Sequence, residues 1–227
     1  MQKRFFILFL LCFVYLPILL HASEHIEVQN NRPVVTVIID PAHGGKDPGG
    51  RGIFKINDEY TIFMEKDFTL KIAQALKVNL LALFPDMKIV LTRNDDIYIP
   101  LKERTFLANS EDLITDEIFI YVSIHMNASY NSNERGLEFC TDGSVNSIRF
   151  AEKVKIEFDK ITGNELPFQG IKDDRWDSLR DFSMPAISAA IGFITNLEDA
   201  LFLSTEQGIN NSAVALANGI AAFIESL

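Results

Sequence analysis

Hydrophobic and polar positions along this chain follow two periods, and the switches between them mark its elements. Val34-Val-Thr-Val-Ile-Ile-Asp40 is a nearly continuous β-branched run, the pattern of a strand buried on both faces. From Lys66 the apolar residues Phe68, Ile72, Ala75, Leu76, Leu80, Leu83 and Phe84 recur at helical spacing, which predicts a helix with one buried stripe that Pro85 ends. Met87–Arg93 reads as a second strand. Pro100 opens a helix over Leu101–Asn109, at the first position, where proline is tolerated. Ile118–Ile124 is a third buried strand and Gly136–Thr141 a fourth. Ser147–Ile161 carries Phe150, Val154, Ile156, Phe158 and Ile161 in a helical pattern closed by Gly163. Pro185–Phe193 is another apolar strand, and Gly208–Leu227 a terminal amphipathic helix. Strands alternating with helices predict one α/β domain: a mainly parallel twisted sheet with helices on both faces.

The first 22 residues follow a different rule. Lys3 and Arg4 precede an apolar run from Phe5 to Leu20, and His21-Ala22-Ser23 supplies small residues for cleavage. That order is a secretory signal peptide, 1–22. The run is short beside the about 20 residues of a membrane span, and polar sequence follows at once. Nothing small precedes Cys12 as a lipid-anchor signal would want. Residues 23–33 read as a flexible lead-in. The chain is therefore expected to be exported, to the periplasm or outside the cell, with no stable membrane span after cleavage.

Composition narrows the function classes. The net charge of −10 becomes more negative still once Lys3 and Arg4 leave. An acidic protein is a poor match for nucleic acid, whose phosphates want a basic face. Cys12 leaves with the signal, so Cys140 stands alone and no internal disulfide forms. Cys140, in the strand-like Gly-Leu-Glu-Phe-Cys run, reads as an inert core thiol.

In an open α/β sheet, ligands bind outside the carboxyl ends of the strands. Asp40-Pro-Ala-His43-Gly-Gly follows the first strand, and His125 lies at the end of the third. After signal removal the only other histidine is His25, in the lead-in. Glu65, at the start of the helix behind the first strand, can reach the same rim. Two histidines and a glutamate form a catalytic zinc set that leaves a fourth position open. Each residue alone has a plainer account. A loop histidine is more often a hydrogen-bonding residue, and Glu65 would also complement a helix dipole. The glycines at 44, 45, 49, 50 and 52 are not a P-loop, because Lys46 is followed by Asp47.

Val37-Ile-Ile-Asp-Pro-Ala-His-Gly-Gly-Lys-Asp-Pro-Gly-Gly50, Met64-Glu-Lys-Asp, Val90-Leu-Thr-Arg-Asn, Leu101-Lys-Glu-Arg-Thr, Ser123-Ile-His-Met-Asn-Ala-Ser, Arg135-Gly-Leu-Glu and Met184-Pro-Ala, in that order, resemble the zinc-dependent N-acetylmuramoyl-L-alanine amidases, the family of the bacterial cell-separation amidases. The resemblance makes 34–227 an amidase-like catalytic domain. It implies a zinc site of His43, Glu65 and His125, substrate contact at Asn127, and a possible regulatory protein partner. The implied reaction cleaves the peptidoglycan amide between N-acetylmuramic acid and L-alanine of the stem peptide.

One position departs from the family pattern. The family usually reads Pro-Ala-x-x-x-Glu-x-Gly-Phe-x-x-Asn, and this chain reads Pro185-Ala-Ile-Ser-Ala-Ala190-Ile-Gly-Phe-Ile-Thr-Asn196. The glutamate that assists catalysis thus falls on Ala190. Losing a general base typically costs 10²–10⁴-fold. Either another carboxylate serves, from Asp173, Asp174, Asp177, Asp181, Glu198 or Asp199, or the protein hydrolyses weakly and instead binds wall or regulates a partner amidase. A zinc peptidase for ordinary peptide bonds is a further alternative.

Overall fold

The structure, a computed structural model, describes residues 34–111, 117–173, 179 and 182–227. The signal segment, the lead-in with His25, and Asp174, Asp177 and Asp181 lie outside the described residues, as does the side chain of Asp173.

The predicted strands and helices form, with additions. The elements are β1 (Val34–Pro41), β2 (Arg51–Ile56), β3 (Glu59–Met64), α1 (Glu65–Leu83), β4 (Lys88–Leu91), α2 (Leu101–Glu111) and β5 (Glu117–Asn127). Then follow β6 (Leu137–Thr141), α3 (Val145–Ile161), β7 (Phe168–Asp173), β8 (Ala186–Phe193), α4 (Leu197–Ser204) and α5 (Glu206–Ile224). Six strands form one sheet in the order β4-β1-β5-β8-β6-β7. All neighbouring pairs are parallel except β6–β8. The reversal has a simple cause: the link 128–136 between β5 and β6 is shorter than the crossover of about a dozen residues that a parallel return requires.

The sheet is covered on both sides, which is why its central strands read as unbroken apolar runs. Val37, Ile39, Val122 and Ile187 face a core built with Phe68, Ile72, Leu76 and Leu80 of α1, Phe150 and Val154 of α3, and Leu216 and Phe223 of α5. Ile38, Tyr121 and Ala186 face the other side, with Ala108 of α2, Leu179, Phe182 and Met184. Helices α3 and α5 approach closely at Gly219, where an added Cβ would lie 2.5 Å from Val154 Cα. Gly219→Ala is therefore expected to push the two helices apart and cost about 1–3 kcal/mol, read as a lower urea midpoint with an unchanged slope.

Four elements go beyond those that the sequence pattern predicts: β2, β3, β7 and α4. The β2–β3 hairpin turns at Asn57 and Asp58, with φ of 50° and 65°, the backbone of a two-residue hairpin loop. β7 is a short strand on the sheet edge. α4 is only eight residues long, too short for periodicity to show, although its Asn196 cap accepts from the Asp199 N–H.

Candidate metal centre

The loop after β1 carries His43, and buried arginines hold it. Arg104 donates to the carbonyl oxygens of Pro41 (2.8 Å) and His43 (2.7 Å). Arg93 donates to those of Pro41 and Ala42, each at 2.9 Å. The Arg104 charge is answered by Asp40 at 2.5 Å, with both side chains almost fully buried. Burial would raise the Asp40 pKa, but Arg104 and the hydroxyls of Thr92 and Tyr121 outweigh it and hold the carboxyl below its ordinary value. His43 itself adopts φ 62°, and reciprocal backbone hydrogen bonds between Gly44 and Asp47 close the turn behind it.

Glu65 is the first residue of α1, and its carboxylate is 5% exposed. Its Oε2 accepts from the Gly50 N–H at 2.8 Å and lies 3.1 Å from His43 Nε2. Its Oε1 accepts from the Met126 N–H at 2.9 Å and lies 3.2 Å from His125 Nδ1. Burial works to raise the Glu65 pKa, and the two histidines reverse that, holding it far below the usual carboxylate range. Burial likewise opposes the charged form of His43, but Glu65 and Asp47 overcome it and raise its pKa. Asp47 Oδ2 lies 2.9 Å from His43 Nδ1, a carboxylate that fixes the ring and leaves Nε2 turned toward Glu65.

His43, Glu65 and His125 each offer one ligand atom, and these atoms lie within 4.8 Å of one another. The 3.1 Å and 3.2 Å separations run to different oxygens of Glu65, so they set both imidazoles against one carboxylate at spacings near the roughly 3.4 Å between ligands about 2.1 Å from a tetrahedral zinc ion. The imidazole, imidazole and carboxylate donors also match its chemistry. The shape depends on Gly49, at φ 65°, where a Cβ would fall 2.5 Å from His43 Cδ2 and 2.6 Å from Glu65 Oε2. Gly49→Ala is expected to displace these ligands and weaken zinc binding about 10–100-fold, the range of second-shell lesions, by chelator competition. An unchanged affinity would show that the ligands tolerate the intrusion.

The three residues border an open cleft of about 950 Å³ whose wall includes Asn127, Glu138 and Ala190. Ala190 lies beside His125 in the β5–β8 pair and directly across from Glu138 in the β6–β8 pair. Of the acids named from sequence, Glu198 is largely exposed and ion-paired with Arg135. Asp199 accepts from the N–H groups of Gly136 (2.7 Å) and Phe193 (2.8 Å), so it fastens two backbone turns and does not border the cleft. Glu138 was missed as a site residue, as were Asp47, Arg93 and Arg104. The signal for Glu138 was an acid within the otherwise apolar Leu137–Cys140 run.

Residues 37–222 match the family model described as N-acetylmuramoyl-L-alanine amidase. The sporulation-specific N-acetylmuramoyl-L-alanine amidase of Bacillus subtilis (strain 168) is 30% identical over 187 residues, 82% of this chain and 67% of that protein. Among solved structures, the N-acetylmuramoyl-L-alanine amidase of Clostridium difficile 630 is 31% identical with a TM-score of 0.73, over 86% of this chain and 98% of that one. The catalytic domain of CwlV, an N-acetylmuramoyl-L-alanine amidase from Bacillus (Paenibacillus) polymyxa var. colistinus, is 30% identical with a TM-score of 0.72, over 84% and 98%.

Proposed function

The chain belongs to the N-acetylmuramoyl-L-alanine amidase family, and from that premise we propose that it is a zinc-dependent peptidoglycan amidase that cleaves between N-acetylmuramic acid and the L-alanine of the stem peptide. The observation that carries this reading is the convergence of His43, Glu65 and His125 on one cleft at the carboxyl ends of β1 and β5. These three residues would hold zinc. When bound, zinc polarises the scissile carbonyl and lowers the pKa of an attacking water to about 7. Asp47 orients His43, the N–H groups of Gly50 and Met126 orient Glu65, and Asn127 lies in the cleft wall to contact substrate. The methyl group of Ala190 offers no proton acceptor.

Peptidoglycan places the work in the cell envelope, which fits an exported protein acting in the periplasm or outside the cell, with room for a regulatory protein partner. Among the described residues no helix is long and apolar enough to cross a membrane.

The test is zinc-loaded protein on purified sacculi, with released products identified by mass. Stem peptides beginning at L-alanine are expected. Fragments cut between amino acids of the stem would instead make it a peptidase. No release, with zinc bound, would leave a wall-binding or regulatory protein.

Zinc affinity carries a pH signature. The pKa of His43 is raised in the metal-free protein, so this histidine stabilises the metal-free fold most below its unfolded pKa of about 6.5 and loses that contribution as pH rises through the folded value. Zinc needs the neutral ring. Affinity is therefore expected to fall as pH drops through the raised pKa, roughly tenfold per unit for one displaced proton, by competition with a chromophoric chelator. A flat profile between pH 6 and 8 would contradict His43 as a ligand.

A further inference from the structure

We propose that Glu138 supplies, from the neighbouring strand, the general-base carboxylate that this chain lacks at position 190. The proposal rests on the amidase reading above. Register carries it first. Glu138 pairs directly with Ala190 across the antiparallel β6–β8 ladder, and Ala190 pairs with His125 across the parallel β5–β8 ladder. Register partners project to the same face of a sheet, so His125, Ala190 and Glu138 form one row, and all three border the cleft. Directly opposed Cβ atoms lie about 4.5–5.5 Å apart, so a glutamate at 138 extends into space that a methyl group at 190 leaves open.

The surroundings of Glu138 support the same role. It is 9% exposed, between the fully buried Leu137 and Phe139, whose side chains enter the opposite core. An acid on an apolar strand needs partners, and Glu138 has two polar ones. Lys172 Nζ lies 2.6 Å from Oε2, and Asn127 Nδ2 donates to Oε1 over a long 3.4 Å. The lysine balances the buried charge from the outer strand. Oε1 faces Asn127 beside the candidate metal centre. Neither Glu198 nor Asp199 borders the cleft, so Glu138 is the carboxylate on this row among the described residues.

In the proposed step, Glu138 takes a proton from the attacking water as the water oxygen bonds to the lactyl carbonyl carbon. The C–N bond then breaks, and Glu138 returns that proton to the departing nitrogen of L-alanine. One water is consumed, yielding a lactyl carboxylic acid and a free α-amine. Glu138 ends as it began.

The experiment compares the natural protein with Glu138→Gln, Glu138→Asp, Ala190→Glu and the double variant Ala190→Glu/Glu138→Gln. Four readouts are taken: zinc content, thermal unfolding, calorimetric binding of a purified disaccharide-tripeptide muropeptide in zinc-free protein, and kcat on that muropeptide. Glu138→Gln is expected to lower kcat 10²–10⁴-fold, with zinc content and muropeptide Kd within threefold of the natural protein. The double variant is expected to regain most of the lost kcat, which a purely structural role for Glu138 would not allow. Glu138→Asp keeps the carboxylate and guards against a glutamine variant that misfolds. An unchanged kcat in Glu138→Gln overturns Glu138 as base while the amidase reading stands. A natural protein that is inactive while Ala190→Glu is active also overturns it, leaving the zinc and substrate sites intact. Inactivity of both overturns the amidase reading itself.

Discussion

Glu65→Ala is expected to remove zinc binding and lower the release of stem peptides from sacculi by at least about 10³-fold, since charge stabilisation by a bound metal is worth several kcal/mol. Glu65 stands between the histidines, 3.1 Å from one and 3.2 Å from the other. It is also the negative charge that makes two nearby imidazoles a cation site. Its orientation is fixed by the N–H groups of Gly50 and Met126. Truncation leaves both donors without their acceptor, and because the Met126 N–H is buried while that of Gly50 is half-buried, the metal-free protein should also lose about 1–3 kcal/mol for the Met126 group left unsatisfied. Glu65→Gln separates the two effects, because its amide oxygen still accepts one of those bonds but it brings no charge. Zinc stoichiometry by mass spectrometry, with folding checked by circular dichroism, provides the measurement. One tightly bound zinc per chain in Glu65→Ala would place the metal elsewhere.

Arg104→Met is expected to destabilise the fold by about 3–5 kcal/mol, the cost of leaving a buried charge without its partner. Arg104 joins α2 to the end of β1 by its pair with Asp40 and by bonds to the carbonyls of Pro41 and His43. Without it, the Asp40 carboxylate keeps hydrogen bonds from the hydroxyls of Thr92, Tyr121 and Ser123 and the Coulombic interaction with Arg93, but no direct ion pair among the described residues. The pH dependence follows from the lowered Asp40 pKa. Its stabilisation is full above the unfolded pKa of about 3.9 and is lost as pH falls through the folded value. Urea unfolding at pH 7 should show the full difference between the natural protein and the variant. The difference should shrink as both are acidified below about pH 4. Adding Asp40→Asn should recover part of the loss, since the two positions interact directly. A loss below about 1 kcal/mol at pH 7 would mean that the pair is screened as a surface bridge is.

Much of this molecule was legible in its sequence because the decisive signals were local. Apolar runs buried on both faces, β-branched in β1 and rich in Ile and Val in β5, marked β1, β5 and β8, and the 3.6-residue period marked α1 and α3. The histidines at the ends of β1 and β5 and the glutamate at the start of α1 could be placed on one rim, because strand ends in a parallel sheet share an edge. The β2–β3 hairpin was overlooked because most of its side chains face outward or are half-buried, which blurs the alternation a one-sided strand shows. The reversal of β6 was invisible to any local pattern, since buried parallel and antiparallel strands carry the same apolar run.

The sequence by itself determined the layered α/β architecture, the family and the candidate ligands His43, Glu65 and His125. It also marked Ala190 as the position where the resemblance leads one to expect a glutamate. Only the tertiary structure decided what stands opposite Ala190. Glu138 and Ala190 lie 52 positions apart in the chain, and their pairing arises from a short link that turns β6 back along β8. It also decided that Arg93 and Arg104 are buried braces of the His43 loop rather than surface charges. Periodicity records which face of an element is buried. Which side chains from distant elements meet there is fixed by strand order, direction and register, and those are properties of the assembled sheet.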